Sequence, residues 1–162
     1  MVHIWREQIR QRQPVTLTDS RMTRFIITLK QAVNVIGDAI AYGRAGDILV
    51  PKLKAALMTD LLDAVRAQEQ ADWCVPVRET GLRPGGEKLH ESLLSREEIP
   101  RTYEDANYWV VPPSHASWAK PLPKLGLAFF DSSEYSSDTV PLHSVPELAA
   151  LLQDVPDRAP ND

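Results

Sequence analysis

The chain has 162 residues, of which 43% are hydrophobic and 25% charged, a composition typical of an ordinary soluble protein with one main core. Its 18 Lys+Arg residues stand against 22 Asp+Glu residues, which gives a formal net charge of −4. This mildly acidic balance argues against nucleic acid as the main partner, because binding to a phosphate backbone requires a basic surface. Any site for an anion must therefore be local.

The first residues, "MVHIWREQIRQRQ", are too charged for a signal peptide, and no apolar run approaches the ~20 residues of a membrane span. Cys74 is the only cysteine, so an internal disulfide is excluded, and no Cys/His cluster has the spacing of zinc ligands. We predict a cytoplasmic protein with no membrane partner and no metal, in which Cys74 is buried.

The first half of the chain alternates between helical and strand patterns. A short basic helix is predicted over residues 4–12, followed by a strand in "MTRFIITL". The clearest helix begins after Thr28, which forms a capping box with Gln31 and is followed by apolar residues at helical spacing. Gly43 and Gly46 end this helix. "GDILVPK" predicts a short buried strand, and a second amphipathic helix is predicted over residues 58–69.

The second half continues the alternation and then changes character. "WCVPVRETG" and "NYWVVPP" predict strands, "GGEKLHESLL" predicts the start of a third helix, and Ser95 with Glu98 predicts a capped short turn. Residues 112–140 are rich in proline and serine, which is typical of an extended arm. A last helix is predicted over residues 145–153, capped by Ser144 and Glu147.

This order of elements indicates an α/β fold rather than a helical bundle or a β-sandwich. We divide the chain into a main portion, residues 1–113, and a second portion, residues 114–162, that holds the extended arm and the C-terminal helix. No internal repeat is visible.

The stretch "ETGLRPGGEKLHESLL" is the best candidate for a binding site. A glycine-rich turn before a helix offers free backbone N–H groups to a phosphate or carboxylate. Arg83 would add a two-pronged contact and Lys88 a point charge, whereas Glu87 would suit the hydroxyl groups of a ribose or sugar. The alternative is that Gly85 and Gly86 only form the turn and that the charged residues are solvated.

Two further groups of polar residues have weaker signals. Arg21 and Arg24 flank a predicted strand, and they could bracket a diphosphate together with the glycine turn or simply be surface arginines. His90 and Glu91 are adjacent, so they would not face each other on a helix, and we interpret them as structural. The sequence has no nucleophile elbow, P-loop or zinc-protease motif, so no catalytic residue is predicted.

Five stretches of the chain carry a resemblance to a known family. They are, in order, "VTLTDSRMTRFIITLKQAV", "GDILVPKLKA", "ETGLRPGGEKLHESLLS", "RTYEDANYWVVPP" and "EYSSDTVPLHSVPEL". Together they resemble the C-terminal part of bacterial UDP-sugar 4-epimerases and 4,6-dehydratases of capsule and surface-polysaccharide synthesis, which are extended short-chain dehydrogenase/reductases. The resemblance runs from about residue 2 to about 113, then from about 130 to 152 in a small C-terminal extension.

The resemblance implies a set of residues that bind substrate. Arg24 is similar to the arginine of the family's Met-Thr-Arg-Phe motif, and Arg83 and Glu87 are similar to the arginine and glutamate of its Arg-Pro-Gly-Glu-Lys motif; in the family these contact the UDP part. Thr18 is expected near the nucleotide. The family has one glycine before the glutamate where this chain has Gly85 and Gly86, a shift that would rotate Glu87 by about 100° within a helix.

A second departure concerns the cofactor. Family members bind NAD(P) through an N-terminal Rossmann domain with a glycine-rich fingerprint, and use a Tyr-x-x-x-Lys pair at the sugar. Neither pattern occurs in this sequence. The resemblance therefore implies a partial fold, the substrate-binding half without the Rossmann domain, with no cofactor of its own.

Three hypotheses about function remain open from the sequence. The first is a UDP-sugar-binding portion of a 4-epimerase/4,6-dehydratase, inactive alone, with a separately encoded Rossmann-containing half or a full-length homologue as its partner. The second is a non-catalytic module that binds a UDP-sugar or a partner protein. The third is a degenerate gene fragment, whose strands "MTRFIITL" and "GDILVPK" would expose apolar surface and favour oligomers.

Overall fold

The computed structural model describes residues 1–114 and 134–156. The helices in these ranges are α1 Val2–Arg10, α2 Leu29–Tyr42, α3 Met58–Gln68 and α4 Val145–Leu152, with a 3₁₀ turn over Ile99–Arg101. The strands are β1 Val15–Leu17, β2 Thr23–Phe25, β3 Ile48–Pro51, β4 Ala55–Leu57, β5 Val77–Glu79, β6 Ser92–Leu94, β7 Tyr103–Glu104, β8 Tyr108–Val111 and β9 Tyr135–Ser136. No helix in the described ranges is long and apolar enough to cross a membrane.

The chain divides into two compact units, each made of several segments. The first unit contains Met1–Phe25, Ala55–Glu91 and Pro141–Asp162, and the second contains Ile26–Lys54 and Ser92–Val140. The boundary that the sequence analysis places after residue 113 stays a prediction.

The first unit is a small α/β assembly. β1 pairs with β5 in parallel, and β2 pairs with β4 antiparallel. Helix α3 packs against both α1 and α4. The fully buried side chains of this unit come from all three helices and from the strands, and include Trp5, Val15, Leu62, Val65 and Leu148. Burial of these apolar side chains is the main source of the unit's stability.

The second unit is built on antiparallel strands. β8 lies between β3 and β7, and β6 pairs with β9. The Trp109 and Tyr135 rings make an edge-to-face contact with centroids 6.2 Å apart, and the Lys52 ammonium lies 4.9 Å from the centre of the Trp109 ring. Helix α2 contacts β3, but none of its residues is buried.

Most of the predicted helices are confirmed. The Thr28 hydroxyl accepts a hydrogen bond from the Gln31 amide at 3.2 Å, and the Thr28 amide donates to Gln31 Oε1 at 2.8 Å, as the capping box requires. The corresponding pair at α4, Ser144 and Glu147, is also formed. The predicted arm lies largely outside the described residues, although its end forms β9.

The third predicted helix is wrong. Residues 84–86 form a turn, in which Gly85 and Gly86 adopt φ values of +104° and +125°, and residues 87–91 form a non-helical segment that bends at residues 89–90 and leads into β6. The Leu89 carbonyl of this segment accepts a hydrogen bond from the Thr23 amide of β2, and β6 pairs with β9. Two smaller expectations also fail. Cys74 is exposed, and in β3 only Val50 is buried.

The contact between Tyr108 and Asp38 gives a pH-dependent prediction. The Tyr108 hydroxyl donates a hydrogen bond to Asp38 of α2, and this bond raises the Tyr108 pKa from its ordinary value near 10 to about 12. The folded state thus favours the neutral hydroxyl, so its stabilising effect is complete below pH 10 and is lost as the pH rises towards 12. Tyr108→Phe should cost about 1 kcal/mol at pH 8 and almost nothing at pH 12. Urea unfolding of both proteins across this range measures the difference, and a constant difference would contradict the assignment.

Candidate functional site

The four residues that the resemblance implies all lie in the first unit. Thr18 directly follows β1, Arg24 is in β2, and Arg83 and Glu87 lie in the turn after β5. The parallel pairing of β1 and β5 continues past the strand ends, since the Thr80 amide donates to the Leu17 carbonyl at 2.8 Å and the Gly81 amide donates to the Thr18 carbonyl at 2.9 Å. Thr18 is therefore held at the start of the glycine turn, with 9% of its surface exposed.

Arg24 of β2 forms hydrogen bonds with the residues that follow the glycine turn, Lys88 and Leu89. Its guanidinium donates to the carbonyl oxygens of Leu89 at 3.0 Å, Lys88 at 2.9 Å and its own neighbour Thr23 at 2.7 Å. Its Nε lies 3.7 Å from a carboxylate oxygen of Glu91, and 22% of its side chain is exposed. The structure thus connects Arg24 by hydrogen bonds to the segment that follows the turn containing Arg83. Most of the N–H groups of the Arg24 guanidinium bond to main-chain carbonyl oxygens.

The turn itself depends on its two glycines. At their positive φ values a residue with a side chain would be strained, although no atom lies within 4 Å of the place where a Cβ would be. Glu87 turns back across the turn, and its Oε2 accepts a hydrogen bond from the Arg83 amide at 3.0 Å. Residues 84–87 are not helical, so the rotation of Glu87 by about 100° that was expected within a helix does not occur. The second glycine is part of the turn at residues 84–86.

Arg83 presents its charge to solvent. Its side chain is 86% exposed, and its Nε lies 3.9 Å from Glu87 Oε2. The chain after Arg83 supplies further N–H groups, since the amides of Gly85 and Gly86 have no hydrogen-bond acceptor among the described residues. The arrangement can therefore offer an exposed guanidinium and two backbone donors to an anionic group.

The charges around this site nearly balance. Arg21 is committed to Asp19 by hydrogen bonds of 2.8 and 3.0 Å, and these bonds lower the Asp19 pKa to about 2. Arg24 and Arg83 each have a carboxylate within 4.0 Å, whereas Lys88 has none among the described residues. An anionic ligand would therefore compete with carboxylates for the arginines, which limits the gain in binding free energy.

His90 and Glu91 contribute to the frame of the site. His90 Nδ1 lies 2.8 Å from Thr23 Oγ1, and Glu91 contacts Arg24 as described above. The sequence analysis set both residues aside as structural, which fits these contacts. It did not foresee the carbonyl acceptors of Arg24, because main-chain atoms leave no residue-specific signal.

These features define the class of protein. The first unit combines helices with the parallel strands β1 and β5, which agrees with the α/β fold class that the sequence analysis predicted. Comparison with known proteins identifies this fold as part of an extended short-chain dehydrogenase/reductase fold. The chain belongs to the polysaccharide biosynthesis protein family, whose model matches residues 1–113.

Relatives and a solved structure agree with this assignment. The UDP-N-acetylglucosamine 4,6-dehydratase (inverting) of Campylobacter jejuni is 33% identical over 78% of this chain and 38% of its own length. The UDP-glucose 4-epimerase of Rickettsia bellii is 33% identical over 69% of this chain and 32% of its own length. The X-ray structure of Pen from Bacillus thuringiensis matches 96% of this chain and 44% of its own, with 26% identity and a TM-score of 0.77.

The chain is therefore a member of a nucleotide-sugar epimerase/dehydratase family. It spans between about one third and two fifths of the length of these curated relatives.

Proposed function

We propose that this chain is the UDP-sugar-binding portion of a nucleotide-sugar 4-epimerase/4,6-dehydratase for surface-polysaccharide synthesis, and that it is inactive without a cofactor-binding half. The observation that carries the proposal is the glycine turn, whose exposed Arg83 guanidinium and free Gly85 and Gly86 amides suit a diphosphate. Two relatives that are named for UDP-sugar reactions support the choice of nucleotide.

Each site residue has a distinct role in this proposal. Arg83 binds the diphosphate from the solvent side, and the glycine amides donate to its oxygens. Arg24 holds the turn in place through the Lys88 and Leu89 carbonyls and directs its remaining N–H groups to the ligand. Glu87, already folded over the turn, accepts from a ribose hydroxyl, and the buried Thr18 lines the inner end of the site.

The residues of this chain do not fit NAD(P). A dinucleotide fingerprint requires a glycine-rich turn that opens a helix, so that the pyrophosphate meets the helix N-terminus. The turn at Gly85 and Gly86 instead leads into an extended segment and β6. The sequence also contains no Tyr-x-x-x-Lys pair, so none of its residues is assigned a step in hydride or proton transfer.

The nucleotide assignment is tested by titrating the chain with UDP and following backbone amide signals by NMR. The arginine contacts supply roughly 3–6 kcal/mol gross, less than the about 8 kcal/mol that micromolar binding needs, so we expect a dissociation constant near ~1 mM. Arg83→Ala should weaken binding about fivefold with an unchanged melting temperature, because one exposed contact contributes about 1 kcal/mol. Arg96→Ala, an exposed arginine outside this unit, is the control and should bind as the original chain does. Equal affinity for all three proteins would exclude this site.

The absence of turnover by the chain alone is a separate expectation. The purified chain, incubated with UDP-N-acetylglucosamine and NAD(P), should give no sugar product by mass spectrometry, because no residue of the chain fits the cofactor. Formation of a 4-keto or 4-epimeric sugar above the level of a heat-denatured control would contradict the second half of the proposal.

A further inference from the structure

The second unit contains a cavity of about 290 Å³ between the C-terminal end of helix α2 and the antiparallel pair β7–β8. Three carboxylates and three phenol rings form most of its polar lining, namely Asp38, Asp47, Asp105, Tyr42, Tyr103 and Tyr108. No lysine, arginine or histidine of the described ranges belongs to this lining. The cavity therefore concentrates negative charge beside aromatic rings.

Each of the three carboxylates uses only one of its oxygens within the described chain. The donors to Asp38, Asp47 and Asp105 are, in turn, the Tyr108 hydroxyl, the Arg44 amide at 3.2 Å and the Ala106 amide. The second oxygen of Asp47, Oδ1, is buried and has no hydrogen-bond partner in the part of the chain that the structure describes. A buried, charged oxygen without a donor is unfavourable, so this position requires a donor from outside the chain.

The surroundings of the cavity favour a positive charge. Burial raises the pKa of Tyr103, and the negative charges of Asp47 and Asp105 raise it further, against an opposite effect of Arg44. Helix α2 directs the negative end of its dipole to this region and has no basic residue in its last turn. Because Arg44 is exposed and does not line the cavity, the described chain places no cation inside it.

The geometry favours an organic cation over a metal ion. Within the described ranges, no three His, Cys, Asp or Glu side chains are close enough to hold a metal ion together. Phenol rings attract ammonium and guanidinium groups through the negative faces of their π-systems. The cavity volume is at the lower end of the ~300–1,000 Å³ that is usual for ligand pockets, which favours a small molecule or a single side chain.

We propose that this cavity binds a primary ammonium group, whose N–H donors bond to the unused carboxylate oxygens and whose aliphatic chain lies against the tyrosine rings. The ammonium group belongs to a free aliphatic amine or to a lysine side chain of another protein. The inference is independent of the proposed function, because the residues of the cavity are all in the second unit and the UDP site is in the first.

The first measurement titrates the full chain and follows its backbone amide signals by NMR. Spermidine and the amide of Nα-acetyl-lysine should shift the signals of residues 42–49 and 103–110, and the tighter binder identifies the source of the ammonium group. Butane-1,4-diol, a neutral chain, should leave these signals unchanged. No shift with either amine, or the same shifts with Mg²⁺ at the same concentration, would overturn the proposal. Unlike UDP, the amines should not move the signals of the glycine turn.

The second measurement compares two substitutions that each remove one negative charge. Asp47→Asn keeps an acceptor for the Arg44 amide, so it should weaken binding of the tighter amine at least tenfold without lowering the melting temperature. Glu97→Gln changes an exposed carboxylate of the same unit outside the cavity, and it should bind as the original chain does. Equal affinities for the two variants, or a melting temperature more than about 5 °C lower in Asp47→Asn, would assign Asp47 a structural role instead.

Two further variants test the aromatic lining and the nearest cation. Tyr42 is 82% exposed, so Tyr42→Ala should leave the melting temperature within about 2 °C and weaken amine binding about two- to fivefold. Arg44→Ala should leave amine affinity unchanged or improve it. Weaker amine binding in Arg44→Ala, together with a lower melting temperature, would show that Arg44 itself serves the carboxylates, which contradicts the proposal.

Discussion

Replacing Arg6 with methionine should lower the free energy of unfolding by about 3–5 kcal/mol. Arg6 lies on α1 with 4% of its side chain exposed. Its guanidinium donates to Gln68 Oε1 at 2.7 Å and to the carbonyl oxygens of Leu152 at 3.2 Å and Val155 at 3.1 Å. The substitution would remove the Arg6 donor from Gln68 Oε1 and from the Val155 carbonyl, whereas the Leu152 carbonyl would keep the Val155 amide and Gln68 Nε2 as donors. It would also remove the charge that lies 3.6 Å from Glu69, whose side chain is 10% exposed.

Arg10→Met provides the control for this prediction. Arg10 lies one turn later on α1 and bonds to the same Glu69 at 2.7 and 2.9 Å, but its side chain is 46% exposed. Its loss should cost no more than about 1 kcal/mol. Urea unfolding followed by circular dichroism measures both variants. Equal losses would show that burial of Arg6 contributes nothing beyond an exposed ion pair.

Replacing Arg24 with alanine should affect stability and nucleotide binding together. The loss of three hydrogen bonds to carbonyl oxygens should cost about 2–3 kcal/mol of unfolding free energy. Because these bonds hold the glycine turn against β2, the affinity for UDP should fall at least tenfold, more than for Arg83→Ala. The same urea and NMR measurements report both quantities.

Two variants separate the roles of Arg24. Arg21→Ala removes a neighbouring guanidinium that is committed to Asp19 at the surface, and it should leave both quantities nearly unchanged. Arg24→Lys keeps the charge but lacks the fork that reaches the three carbonyl oxygens of Thr23, Lys88 and Leu89, so the loss of stability should persist. Unfolding free energy and UDP affinity both unchanged in Arg24→Ala would refute the positioning role.

The sequence was sufficient for elements that are defined by local interactions. The capping boxes at Thr28 and Ser144 predicted α2 and α4 to within a residue or two, because each box forms within one turn of helix. The "GGEKLHESLL" stretch failed for the opposite reason. Its leucines resemble a helical pattern, but Ser92–Leu94 pairs with Tyr135–Ser136, a strand more than forty residues further along. Short strands with distant partners carry little local signal.

The candidate site shows the same division. The resemblance gave Thr18, Arg24, Arg83 and Glu87, and the structure places all four in one unit. That Arg24 bonds to the backbone at Lys88 and Leu89, and that Glu87 turns towards the Arg83 amide, depends on the path of the main chain. The exposure of α2 was equally hidden, because an amphipathic pattern predicts an apolar face but not what covers it.

The interleaving of the two units has a consequence for synthesis on the ribosome. The first unit uses residues from the start of the chain, and α4 supplies Leu148 to its core and the Leu152 carbonyl to Arg6. Helix α1 can therefore form all of its native contacts only after more than 140 later residues have been synthesised. Such distant contacts slow folding and lengthen the time during which α1 and α3 expose their apolar faces, so nascent chains of this protein should depend on chaperones that bind early.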